Sequence, residues 1–203
     1  VFLGVAPIYP GQRQHYTLPA PDAGLYWYHP HVMSAQQLGA GLYGAILVDE
    51  APGVEPDWAD EEVVLVLSDL DLDAQGELAD PQTGGELGTL FGREGEVLLV
   101  NGRVRPELTA TVGQRQRWRL LNAARSRYYA LSLPGHRWWI VGGDGGLADA
   151  PVEAERLLLV PGQRLDVIVE PTTPGTVPLS WVPYDRGYGS VEFRDPEVLL
   201  VSG

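Results

Sequence analysis

The sequence predicts an all-β protein of packed sheets, and three observations carry that prediction. Short runs rich in Val, Leu, Trp and Tyr recur with turn signals between them roughly every eight to fifteen residues, the spacing of a sandwich or barrel. The 25 glycines and 17 prolines suit a turn-rich chain better than a helical one. No stretch sustains the 3.6-residue apolar periodicity of an amphipathic helix. A length of 203 residues allows one large or two modest domains, and a hydrophobic content of 44% allows an ordinary core.

Taken in order, strands are expected at Gln14–Leu18, Tyr26–His31 and Ala45–Val48, where β-branched and aromatic residues lie between polar breaks. Ala51 to Asp60 carries Pro, Gly and acidic residues and reads as a connection between domains. The expected division is therefore 1–52, a linker at 53–60, and a second domain at 61–203. Further strands are expected at Val63–Leu67, Val97–Val100, Leu108–Val112, Gln116–Asn122, Tyr129–Leu133, Trp138–Val141, Arg156–Val160, Leu165–Val169, Val177–Val182 and Val198–Val201. Gly142 to Gly146 makes a sharp reversal, and Asp73 to Gly95 reads as a long exposed loop.

An internal repeat supports the two-domain reading. Pro10-Gly11-Gln12-Arg13 recurs 151 positions later as Pro161-Gly162-Gln163-Arg164, and Gly24 matches Gly175 at the same offset. Each copy continues with turn, strand, glycine, strand and an apolar closing strand. About a hundred residues precede the turn in the second copy and only nine in the first, so the first sandwich is expected to be incomplete, with unpaired edges.

Charge and composition exclude several roles. A net charge of −13 disfavours nucleic acid and anionic membrane surfaces as partners. All 14 basic residues are arginine, and the absence of cysteine leaves no disulfide and no thiolate ligand. No apolar run approaches membrane-spanning length, and no signal peptide precedes Val1.

The chemistry concentrates in Tyr26-Trp27-Tyr28-His29-Pro30-His31. In an extended segment His29 and His31 point to one face, with Cα atoms roughly 6.6 Å apart. Pro30 fixes its own φ and pushes His29 towards an extended conformation, so the pair is held. Two imidazoles so placed could each serve one ion of a close metal pair, whose spacing is about 3.5–4 Å.

This segment, with Gln37 and Gly41-Leu42-Tyr43-Gly44-Ala45-Ile46-Leu47-Val48 beyond it, resembles a copper-ligand segment of the laccase-like, three-domain multicopper oxidases. Val100-Asn101-Gly102, Arg119 to Ala124, Gly143-Asp144-Gly145-Gly146 and Pro161 to Val167 are similar to segments of that family's middle domain, in the same order. The resemblance implies cupredoxin-like Greek-key sandwiches, with residues 1–52 closing the first and 61–203 forming a copper-free second. It implies that His29 and His31 each give one ligand to a type 3 copper, that dioxygen is reduced to water, and that the electrons come from phenols, similar small molecules or low-valent metal ions. It implies further cupredoxin segments in the same protein and an extracellular or periplasmic location. The remaining copper ligands lie outside these residues, so the 203 residues alone are expected to be inactive. The alternatives are a copper-free cupredoxin scaffold that binds a partner protein, disfavoured by the retained imidazoles, and a copper nitrite reductase-like protein, which leaves the middle-domain segments unexplained.

Other residues receive structural readings. His15 reads as a surface residue and His136 as part of a hairpin turn. Arg115, Arg117 and Arg119 alternate along one strand and read as a solvated stripe offset by acidic neighbours. Asn101 and Asn122 sit where strands give way to turns. Trp27 and Tyr28 are expected to pack in the core and around the histidines, and Asp185 to pair with Arg186.

Overall fold

The computed structural model describes residues 7–20, 22–53, 58–80, 84–187 and 195–202, the last three by backbone alone. Residues 54–57 of the expected linker lie outside this set. Among these residues three sheets account for the strands, and the two larger ones face each other across one core.

The smallest sheet is a hairpin of β1 (Gly24–Tyr28) and β2 (Gly44–Val48), paired antiparallel from Gly24↔Val48 to Tyr28↔Gly44. A short helix α1 (Ser34–Gly39) lies in the connection. After it come β3 (Glu61–Leu70), α2 (Gly85–Phe91), β4 (Val97–Val100), β5 (Glu107–Leu108), β6 (Gln116–Asn122) and β7 (Tyr129–Ser132). The chain ends with β8 (Trp138–Gly143), β9 (Gly146–Ala154), β10 (Leu157–Leu159), β11 (Arg164–Val169), β12 (Val177–Val182) and β13 (Glu197–Ser202). One sheet runs β10-β7-β12-β13-β5 and the other β4-β3-β6-β11-β8-β9. Pairing is antiparallel except for β3 with β6 and β13 with β5. The result is the cupredoxin-like Greek-key architecture that the sequence predicts.

Period-2 alternation builds the core. Leu65 and Leu67 of β3, Trp118 and Leu120 of β6, and Val167 and Val169 of β11 face inward from the six-stranded sheet. Tyr129, Leu131, Leu157, Leu159, Leu179 and Trp181 meet them from the other side. Trp118 and Trp138 fit edge to face, with ring centroids 5.7 Å apart.

Some expectations fail for identifiable reasons. Gln14–Leu18 forms no strand, although its repeat counterpart is β11. There β11 lies between β6 and β8, whereas among the described residues the hairpin offers residues 14–18 no ladder to join. β9 carries no strand signal in the sequence, because Leu147–Ala154 is rich in alanine, contains Pro151 and has Val152 as its one β-branched residue; it forms, largely exposed, by pairing with β8 across the Gly143↔Gly146 reversal. Helices α1 and α2 have six and seven residues, too short for a helical period to show. Consequently the Asp73–Gly95 stretch contains a helix as well as loop. Asp185 does not pair with Arg186: its carboxylate accepts from the Gly187 amide at 2.7 Å, while Arg186 meets Glu94 at 3.5 Å and the Ser126 carbonyl at 3.2 Å. Among the described residues no helix is long and apolar enough to cross a membrane.

The largest correction concerns the arginine stripe. Every residue of β6 is buried, because both faces of the six-stranded sheet are covered. On the outer face Leu121, Ala123, Val64 and Val66 pack against Leu25, Trp27, Tyr43 and Ala45 of the hairpin segment. Arg117 and Arg119 lie on that same face, only 3% and 1% exposed rather than solvated. Arg117 pairs with Asp166 at 2.6 Å, Glu50 at 2.8 Å and Glu62 at 3.0 Å. Arg119 reaches Glu62 at 2.8 Å, Glu50 at 3.1 Å and Asp166 at 3.5 Å. Glu62 and Asp166 come from the strands flanking β6, but Glu50 follows β2, so the network binds the hairpin to the sandwich.

Burial and pairing act on these carboxyls in opposite directions. Burial pushes Asp166 above the usual carboxylate range, and the two guanidiniums only partly offset it. For Glu50 burial also works upward, but the Arg117 hydrogen bond and the attraction of both arginines prevail and hold it below its ordinary value of 4.5. Both arginines are held above their ordinary value: burial works downward but is outweighed by their carboxylate partners.

Removing one member of such a network strands buried charge, so Arg117→Met should cost about 3–5 kcal/mol in urea unfolding, and a second change, Asp166→Asn, should recover part of the loss. Acid titration gives a separate expectation. Glu50, held low, binds fewer protons folded than unfolded, so its contribution is present above about pH 4.5 and fades as pH falls through its folded value. Asp166, held high, has the opposite sign: its contribution is full below its ordinary 3.8 and is lost as pH rises through its folded value. Asp166→Asn therefore removes the compensating partner, and Tm should fall more steeply with acidification below about pH 4.5 than in the parent.

Candidate metal site

The site begins with β1, whose Leu25 and Trp27 face the sandwich while Tyr26 and Tyr28 face outward. The ladder stops at Tyr28, since Pro30 has no amide hydrogen to give and the next three residues bend. Pro30 nevertheless keeps His29 extended, so the alternation of side chains outlasts the strand. Trp27, His29 and His31 consequently stack on one side. The Trp27 and His29 ring centroids are 4.1 Å apart with planes tilted by 25°, and those of His29 and His31 are 4.7 Å apart with a tilt of 29°.

Tyr28 departs from expectation. It is 59% exposed and lies across Gly44, its cross-strand neighbour, where the missing side chain makes room for the ring. It belongs neither to the core nor to the histidine stack, whereas Trp27 belongs to both.

Local bonds hold the segment after the stack. Met33 adopts a left-handed conformation with φ 49° and starts α1, and its carbonyl accepts from the Gln36 and Gln37 amides at 3.0 and 3.1 Å. The Gln37 side-chain amide donates back to the Val32 carbonyl, fastening the helix to the bend that carries His31. His29 Nδ1 lies 3.3 Å from the Pro30 carbonyl. With the proton on Nδ1, Nε2 keeps a lone pair free for a metal ion. His29 borders a cavity of about 400 Å³ lined also by Ser34, Leu38, Thr89, Arg93 and Arg125.

The two other histidines stay apart from this pair. His15 is exposed, and its carbonyl accepts from the Gln14 side chain at 3.2 Å. His136 sits in the β7–β8 turn with Nδ1 3.1 Å from the Pro134 carbonyl. Among the described residues no three His, Cys, Asp or Glu side chains gather as a metal-holding group. The donor set at the site is therefore two imidazoles. Imidazole is a good ligand for copper, and in-plane lone pairs on stacked, nearly parallel rings suit two neighbouring ions better than one.

Comparison with known proteins resolves the family. Residues 61–178 match the multicopper oxidase family, and residues 2–53 match a second multicopper oxidase profile. The chain belongs to the multicopper oxidases. The cell division protein FtsP of Salmonella typhimurium is 31% identical over 212 residues, covering 97% of this chain and 41% of that protein. The multicopper oxidase MmcO of Mycobacterium tuberculosis is 32% identical over 191 residues, 81% of this chain and 37% of its own. A solved multicopper oxidase from Pseudomonas thermotolerans superposes with a TM-score of 0.83 at 30% identity, covering 99% of this chain and 45% of that one. The chain thus spans less than half the length of each of these relatives. Membership in the multicopper oxidases implies copper in the complete protein. The two imidazoles fit that metal as part of a ligand set.

Sequence patterns do not reveal the side chains around the pair. Gly162 and Arg164 of the sandwich both touch β1, one at Trp27 and the other at Leu25. The repeated Pro-Gly-Gln-Arg marks them in the sequence, but only as turn formers.

Proposed function

We propose that this chain is part of a laccase-like multicopper oxidase. In the complete protein it would couple oxidation of phenols, small organic donors or low-valent metal ions to the four-electron reduction of dioxygen to water. Residues 1–52 are the closing part of a first cupredoxin domain, 53–60 a linker and 61–203 a copper-free second domain. His29 and His31 each hold one copper of a type 3 pair, and the other ligands come from further cupredoxin segments of the same protein. The observation that carries this reading is the ring stack, which holds two imidazoles side by side with nearly parallel planes at the end of one strand.

When bound, the copper cluster supplies the electron storage and oxygen binding that the reaction requires. The residues of this chain prepare the ligands. Pro30 holds the two rings on one side, its carbonyl occupies His29 Nδ1, and Trp27 covers the inner face of the His29 ring. An extracellular or periplasmic site of action accords with the family resemblance.

The similarity to a cell division protein favours a second reading, a cupredoxin scaffold without copper that binds a partner protein. Copper stoichiometry separates the two. In the complete encoded protein, His29→Ala and His31→Ala should each lower bound copper and reduce dye oxidation by at least a hundredfold, about 2.7 kcal/mol of transition-state stabilisation. The 203 residues alone should turn over no dye. A complete protein that binds no copper, or a His29→Ala/His31→Ala double variant that still oxidises dye, overturns the oxidase reading.

A further inference from the structure

We propose that the Pro161–Arg164 turn of the sandwich positions the histidine pair, acting through Trp27. The turn itself is rigidly fixed. Gly162 has φ 82°, the Gln163 amide donates to the Val160 carbonyl at 3.0 Å, and the Gln163 side chain accepts from the Val160 amide at 2.9 Å. Asn122, fully buried at the end of β6, exchanges backbone bonds with it: Gly162 donates to the Asn122 carbonyl at 2.8 Å, and Asn122 donates to the Gln163 carbonyl at 3.0 Å. The Asn122 side chain in turn donates to the carbonyls of Arg127 and Leu159.

This turn grips β1 at two points. Arg164 donates from Nε to the Leu25 carbonyl at 3.0 Å, while its Nη1 pairs with Asp144 at 3.0 Å and holds the guanidinium still. Gly162 lies beside the Trp27 indole, where an added Cβ would stand 3.4 Å from Cζ2, in van der Waals contact. Trp27 then stacks on His29, and His29 on His31. The contacts run without a break from the sandwich to the second imidazole, so a displacement of the indole is passed to both rings. Trp27, Gly162 and Arg164 are positioning residues, since they act through the imidazoles rather than on a metal.

The repeat supplies an internal control. Gly11 has the same φ of 82°, with the Gln12 amide donating to the Tyr9 carbonyl at 2.9 Å and the Gln12 side chain accepting from the Tyr9 amide at 3.0 Å. Yet nothing lies within 4 Å of a Cβ placed on Gly11. Both glycines have the same positive φ, which strains an alanine at either position, but only at 162 would the added methyl touch Trp27.

The test is imidazole NMR of the complete encoded protein in its metal-free form, read beside its copper binding. Gly162→Ala should shift the Trp27 indole and His29 ring signals, and Gly11→Ala should leave them in place. Trp27→Leu should remove the ring-current shift of His29, which keeps the proposal open to test if Gly162→Ala fails to fold. Unmoved His29 signals in Trp27→Leu, or equal shifts from Gly11→Ala and Gly162→Ala, overturn the positioning role. The consequence for copper rests on the proposed function: Trp27→Leu should weaken copper binding about tenfold or more, Gly11→Ala not at all. Ring signals that respond as expected in a protein that binds no copper would sustain the positioning role and defeat the oxidase reading.

Discussion

The rest of the structure depends on the covering of the outer face of the six-stranded sheet. That sheet has a core on one side and the β1–β2 hairpin on the other, so its central strand β6 is buried along its whole length. Two arginines sit on the covered face, where an unpaired charge would be strongly unfavourable. Glu62 and Asp166 from adjacent strands meet them, and Glu50 completes the set from the segment after β2. The apolar contacts of Leu25 and Trp27 supply area, and the ionic contacts supply register. A hairpin slid by one residue would turn Leu25 and Trp27 to solvent.

That fixed register carries over to the candidate metal site. β1 is held by Arg164 at Leu25 and by Gly162 at Trp27, and its last residues lead directly into the histidine stack. The imidazoles thus owe their position to a part of the chain more than a hundred residues away in sequence. Proline then does locally what hydrogen bonds no longer do beyond Tyr28, keeping side chains alternating where the ladder has ended. On the far side α1 and the Gln37 bond to Val32 close the segment. Rigid support on both sides is what a candidate metal site needs.

The internal repeat shows one local sequence in two tertiary settings. Both Pro-Gly-Gln turns close with the same pair of hydrogen bonds and the same glycine φ, because these depend on neighbouring residues alone. Beyond the turns the two copies diverge. Arg164 leads into β11 between two partner strands, while residues 13–20 form no strand among the described residues. Arg164 finds Leu25 and Asp144, and Gly162 finds Trp27, whereas Gly11 faces open space.

Sequence by itself determined the all-β class, most strands, the sharp Gly143–Gly146 reversal and the shared face of His29 and His31. Each rests on periodicity, turn chemistry or a proline, all of which act over a few residues. Tertiary structure alone decided which polar residues are buried. Arg117 and Arg119 alternate as an exposed stripe would, and only the hairpin laid across β6 turns them into the centre of an ionic network. It also decided that Trp27 joins the stack while Tyr28 turns to solvent, since that choice depends on which face of β1 meets the sandwich. Local sequence sets the direction of a side chain, but the neighbours it meets there are set by segments far along the chain.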